Sequence, residues 1–170
     1  MLNRAGGFSR GLTLGVMLLA CFIPWSRAAA QAAPSPRSAV FDTNCSMCHQ
    51  LGAVGVVGQF PRLAGRAGRI AATPAGRHYL EHVVLYGMMG TITVDGTQIV
   101  GGVMPSFSSL SDEDLAAALN YVTNLDAAGK LHWKGPVVTA AQIAKVRAGK
   151  VWSPMQVHQL RQTVLGKKHP

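Results

Sequence analysis

The chain has 170 residues, three cysteines and a formal net charge of +9. Its basic residues are dispersed, with no dense Lys/Arg run, which argues against a nucleic-acid partner; a positive balance of this size suits an acidic partner face or an anionic membrane surface. Without an N-terminal leader, about 140 residues remain, room for one domain.

The leader is legible at once. MLNRAGGFSR carries Arg4 and Arg10 and no acid, residues 11–25 are apolar, and SRAAAQAAPSPRS is rich in small residues and proline. A basic start, an apolar run of about 15 residues and an A-x-A exit predict a secretory signal peptide over residues 1–30, cut after Ala30, with cuts after Ala32 or Ala33 as alternatives. The apolar run falls short of the ~20 residues of a spanning helix, which counts against an uncleaved anchor. LLAC, residues 18–21, resembles a bacterial lipobox in which Cys21 would become a lipidated N-terminus, although Leu19 fits that pattern poorly. The leader holds three arginines and no acid, so residues 31–170 keep thirteen basic against seven acidic side chains, a net +6. Residues 31–37 read as a linker.

A first helix is predicted from about Ser38 through FDTNCSMCHQ, residues 41–50. Phe41 lies four residues before Cys45, on the same helical face. In an exported chain Cys45 and Cys48 remain as a pair. A disulfide, a redox-active C-x-x-C and part of a zinc site each leave His49 unexplained. C-x-x-C-H uses all three residues, as covalent c-type haem attachment. The two thiols add to the two vinyl groups along one porphyrin edge, Ser46 and Met47 set the span, and His49 can then reach the iron through Nε2.

Residues 51–72, rich in Gly and Arg, read as a loop. Thr73 and Pro74 open a middle helix as cap and first helical residue, with Leu80, Val83, Val84 and Met88 at helical spacing. TITVDGTQIV, residues 91–100, alternates and breaks at Asp95–Gly96, which predicts a short hairpin shielding one haem edge. It leads into GGVMPSF, residues 101–107. A second iron ligand could come from Met88, Met89, Met104, Met155, His78, His82, His132 or His158; Met47, inside the motif, cannot reach across. Met104 is preferred, because two glycines precede it, Pro105 fixes the chain after it and a helix follows. Methionine opposite histidine raises the potential. Ser111 caps the next helix, with Asp112, Glu113 and Asp114 against its positive end and Leu115, Leu119 and Val122 as its apolar stripe. Farther on, Thr139…Gln142 and Ser153…Gln156 are capping-box patterns that predict two short helices, the second with Val157, Leu160 and Val164 on one face. Trp133 and Trp152 could pin this tail, and Lys167, Lys168 and His169 form a solvated end.

VFDTNCSMCHQ, GQFPRLAGR, RHYLEHVVLYGMMG, VGGVMPSF and LSDEDLAAALNYVTN, taken in order from Ser38 to Asp126, resemble a class I (mitochondrial-type) bacterial monohaem cytochrome c. The resemblance implies an all-α fold of three main helices wrapped around one covalent haem, with the short β-hairpin before the Met-ligand loop and a helical C-terminal extension over 127–170. It implies Cys45 and Cys48 as thioether residues and His49 and Met104 as axial ligands of the haem iron. It further implies that the Pro61 carbonyl accepts the His49 Nδ1–H bond, that Leu63 packs on the proximal haem face and that Tyr121 crosses the first helix near Phe41. The tail, with VTAAQIAKVR after a tryptophan, resembles extensions of cytochromes that serve periplasmic dehydrogenases or reductases. The implied function is periplasmic electron transfer, without catalysis of its own, from a periplasmic redox enzyme to an oxidase or reductase, through weak, salt-sensitive docking. The alternatives are a ligand-binding or peroxidase-like haem protein with a labile distal Met, although the second C-x-x-C-H of a dihaem peroxidase is missing, and a lipid-anchored subunit of a dehydrogenase complex.

Overall fold

The structure is a computed structural model and describes residues 36–166. The leader, Cys21, the linker up to residue 35 and the Lys167–His169 end lie outside the described residues. Among those described, no helix is long and apolar enough to cross a membrane.

Helix α1 spans Pro36–Asn44, two residues ahead of the expected start, with proline at its first position, where the missing N–H is no loss. It runs almost directly into α2, Ser46–His49. Residues 51–72 are not one loop, as their glycines had implied. They hold a 3-10 turn at Leu51–Ala53 and a short helix, α3, at Ala67–Ala71. Helix α4, Pro74–Tyr86, starts as predicted: the Thr73 hydroxyl accepts the Gly76 amide at 3.0 Å, and Pro74 follows. It stops at Gly87, so Met88 stands at the head of a strand rather than the end of a helix.

The hairpin is longer than TITVDGTQIV. Strand β1, Met88–Val94, pairs antiparallel with β2, Thr97–Met104, from Val94↔Thr97 at the turn to Met88↔Met104 at the open end. Asp95 and Gly96 both take positive φ, 48° and 78°, the turn whose twist matches paired strands. Gly101 and Gly102 had read as the approach to a Met104 loop, and Gly90 lay outside the expected hairpin. All three sit at or beside the register shift between Gly90 and Ile92, where glycine admits a bulge and lets the ladder continue.

Helix α5, Asp112–Thr123, is capped by the Ser111 hydroxyl, which accepts the Asp114 amide at 3.1 Å. It crosses α1 where Phe41 meets Tyr121, with ring centroids 5.2 Å apart. Two helices follow, α6 at Ala140–Arg147 and α7 at Pro154–Leu165, each opened by a complete capping box.

The tail is seated mainly by bonds to backbone groups. Buried Asn120 donates to the Val138 carbonyl at 2.7 Å and accepts from the Val137 and Val138 amides at 2.6 and 3.0 Å. Asn124 holds Lys134 and Gly135 in the same way. Arg147 on α6 pairs with Asp112 at 2.8 Å and donates to the Ser108 and Leu110 carbonyls. Helix α7 covers the free edge of β1: His158 meets the Thr91 carbonyl and Arg161 donates to the Thr93 carbonyl, each at 2.9 Å. Of the two tryptophans, Trp152 packs edge-on against His82 at 4.7 Å, while Trp133 stays 39% exposed.

Asn120→Ala removes three bonds and strands the backbone of half-buried Val137 and buried Val138. The expected loss is about 2–4 kcal/mol of stability, read as a lower urea midpoint, with faster hydrogen exchange at Val137 and Val138. An unchanged midpoint would show that the tail is held elsewhere.

Apolar side chains gather in two separate clusters. The larger joins α4, the hairpin and α5 with Val138, Ile143, Val157 and Leu165 of the tail. The smaller holds Phe41, Ala53, Ala64, Ala67, Tyr121, Val122 and Leu125, with half-buried Cys45 and Leu63 at its margin.

Candidate functional site

The cysteine motif is placed by helical hydrogen bonding. The Cys45 amide donates to Phe41 at 2.8 Å and the His49 amide to Cys45 at 2.9 Å, so one turn presents both thiols and the imidazole. Cys45 and Cys48 are free thiols, both half-buried. Burial, with a smaller contribution from neighbouring Cys48, pushes the Cys45 thiol up to about 11. Uncrosslinked thiols are the form that adds to vinyl groups. Met47, between them, is 86% exposed and points away from any buried site.

His49 is buried, and its Nδ1 lies 2.9 Å from the Pro61 carbonyl oxygen. That contact fixes the ring and its tautomer and leaves Nε2 with its lone pair. Burial lowers the His49 pKa, against the raising influence of the Pro61 carbonyl, so the neutral, ligating imidazole is favoured. Pro61 is held by a tight reversal: Val56 and Phe60 exchange backbone bonds at 2.9 and 2.8 Å, and the Gly55 amide donates to the His49 carbonyl at 2.8 Å. Gly55 has φ +69°, and a Cβ there would stand 2.6 Å from the Phe60 carbonyl oxygen and the Arg62 nitrogen, so a side chain would spread this loop. Leu63 follows, its amide donating to the Ala53 carbonyl at 2.9 Å, and packs against the same small cluster as Cys45.

Met104 is the last residue of β2, not a loop residue, and it lies half-buried against the larger cluster. Beyond it, Ser106 Oγ donates to the Leu85 carbonyl at 2.5 Å and the Phe107 amide to Val84 at 2.9 Å, tying the segment to the end of α4. The competing groups are engaged elsewhere. Met88 is buried, with the Tyr79 hydroxyl 3.7 Å from its sulfur. Met89 and Met155 are exposed. His82 Nδ1 meets the His78 carbonyl at 2.8 Å, and the His78 and His82 rings are in tilted contact with centroids 4.0 Å apart. His132 pairs with Asp126 at 2.8 Å, and His158 meets Thr91.

The donors thus divide between the clusters, Cys45 and Leu63 on the smaller and Met104 on the larger. A flat apolar group bridging the two would cover all three flanks, and two thiols, an imidazole Nε2 and a thioether suit haem c. Sequence reading missed two deeply buried guanidiniums, Arg66 and Arg161. Periodicity did carry a signal for Arg161: it lies four residues after Val157 and four before Leu165, on the stripe that packs inward.

Paired thiols beside an imidazole place the chain among proteins that bind haem covalently. The sequence profile of the cytochrome c family matches residues 38–126. Cytochrome c-552 of Thermus thermophilus is 42% identical over 113 residues, 66% of this chain and 85% of that protein. A second cytochrome c-552, from a particular strain of the same species, is also 42% identical over 113 residues, with 66% of this chain and 75% of that protein covered. The chain belongs to the cytochrome c family, as a class I monohaem member, and binds haem c covalently.

Proposed function

We propose that the protein is an exported, periplasmic carrier of single electrons, with Cys45 and Cys48 as thioether residues and His49 and Met104 as axial ligands. Haem-based electron transfer goes with the family. Bound haem c supplies one reversible electron at its iron. The residues of this chain fix the ligands: Pro61 orients His49, Leu63 covers the proximal side, and the Val84–Phe107 and Leu85–Ser106 bonds hold the segment after Met104. The donor is read as a periplasmic redox enzyme and the acceptor as an oxidase or reductase. Met47, Leu51 and Val57, all exposed on the segment from the cysteine motif onward, offer such a partner an apolar contact, and the net positive charge supplies longer-range attraction to an acidic face.

The observation that carries this reading is the 2.9 Å contact from His49 Nδ1 to Pro61, a ligand held before its metal. The test is optical. Oxidised holoprotein is expected to show the weak far-red band of methionine bound to Fe(III), and the reduced form to ignore CO. A high-spin spectrum with prompt CO binding would favour the ligand-binding or peroxidase-like alternative.

A further inference from the structure

Met104 ends β2, and residues 105–111, which join it to α5, have no regular secondary structure. Backbone groups in such a segment take their partners from elsewhere in the fold. Two holds come from α4, through Leu85 to Ser106 and Val84 to Phe107. The next comes from the extension. Arg147, the last residue of α6, donates to the Ser108 carbonyl at 2.6 Å and to the Leu110 carbonyl at 2.9 Å, and its Nε pairs with Asp112 at 2.8 Å. One guanidinium thus grips three points between Ser108 and Asp112. That suits the fixed fork of an arginine and not the single ammonium of a lysine.

The neighbouring residue holds the other flank. The Val146 carbonyl accepts the Tyr86 hydroxyl at 3.0 Å. Tyr86 is the last residue of α4, and Gly87 behind it is where the Met104 carbonyl, Pro105 and Ser106 come closest to that helix end. The side chains of Tyr86, Met104, Leu110 and Val146 all pack against the larger cluster. Two consecutive residues of α6 therefore bracket Met104, one fastened to the helix end it rests on and the other to the chain that follows it. Both lie beyond residues 38–126, the part that matches the family profile.

We propose that Arg147 and the Val146 carbonyl form a latch through which the C-terminal extension keeps Met104 on the iron, so that a small ligand reaches the sixth position only when the latch opens. This rests on Met104 as axial ligand, as read above, and gives the tail a role beyond packing. Arg147 is a positioning residue, acting through the backbone that follows Met104. With the latch closed the protein is confined to passing electrons. With it open, residues 105–111 keep only their two bonds to α4, the sulfur leaves more often, and the iron becomes accessible to ligands.

The test compares oxidised holoproteins whose covalent haem is first verified by the pyridine haemochrome spectrum. A wild-type protein without the far-red band would sink the Met104 reading itself, before any variant is compared. The probe is potassium cyanide, which binds Fe(III) only after the sulfur has left, so its rate at saturation reports the opening step. Arg147→Gln is expected to raise that rate roughly three- to tenfold, the worth of one or two hydrogen bonds, and to weaken the far-red band. Arg147→Lys keeps the charge and can still pair with Asp112, but it cannot hold both carbonyls as well, so it should stay faster than wild type. Asn120→Ala is the structural control: it loosens the tail at Val137 and Val138 and should keep the wild-type rate. R147Q with a wild-type rate and band overturns the proposal. So does R147K that restores the wild-type rate, or N120A that speeds cyanide entry as much as R147Q, because charge alone or general loosening of the tail would then suffice. If R147Q does not accumulate, Tyr86→Phe decides: faster cyanide entry supports the latch, and an unchanged rate overturns it.

Discussion

Met104→Ala is expected to convert the holoprotein from a closed carrier into an open one. The far-red band disappears, the oxidised spectrum turns high-spin, and the reduced form binds CO. The potential falls by on the order of a hundred millivolts or more, because the thioether stabilises Fe(II). The fold loses little, since Met104 is only half-buried and the segment after it is tied independently by Ser106 to Leu85 and Phe107 to Val84.

Met88 supplies the control. It stands opposite Met104 in the ladder, and its sulfur could in principle compete. It is buried and receives the Tyr79 hydroxyl, so Met88→Ala should cost about 2–5 kcal/mol of core packing yet keep the far-red band. The two variants therefore separate ligation from stability. If M88A loses the band and M104A keeps it, the distal assignment moves to Met88.

The parts of this protein that sequence made readable are those whose logic is local. C-x-x-C-H needs one turn of helix. The caps at Thr73, Ser111, Thr139 and Ser153 need three residues each, and each accepts the backbone amide a cap requires. Asp95–Gly96 marked the turn but could not mark the hairpin's length, because a glycine that breaks a strand and one that hosts a bulge look alike in sequence. Pro61 is twelve residues from His49, and no spacing rule joins them; the resemblance supplied that pair. The seat of the tail was readable only at Trp152, which packs on His82, and faintly in the spacing of Arg161. It depends on Asn120, Asn124 and Arg147 reaching backbone groups, and on Arg161 bonding Thr93 from 68 residues away. Such contacts follow from how helices pack, and the charged face of Arg161 hides among Val157, Leu160 and Val164. The tail's tryptophans were the conspicuous residues, and the asparagines do more of the fastening.

Gly87→Ala is expected to remove the distal ligand without touching it. Gly87 ends α4 with φ 71° and ψ −174°, a region that essentially only glycine occupies. A Cβ built there would collide with the Met104 carbonyl and stand 2.9 Å from the Pro105 carbon and the Ser106 nitrogen. All three neighbours are backbone, so no side chain can swing aside. Backbone strain of about 1–3 kcal/mol is thus joined by a clash that only displacement of residues 104–106 relieves. G87A should therefore melt lower than wild type and also show a weakened or lost far-red band, with CO binding in the reduced state, although Met104 is intact. Asn120→Ala offers the contrast: it lowers stability through the tail and leaves the band in place. If G87A were merely less stable, with normal ligation at temperatures below its transition, the end of α4 would not be what positions Met104. Loss of the band well below that transition would show that one glycine joins the middle helix to the iron's sixth ligand.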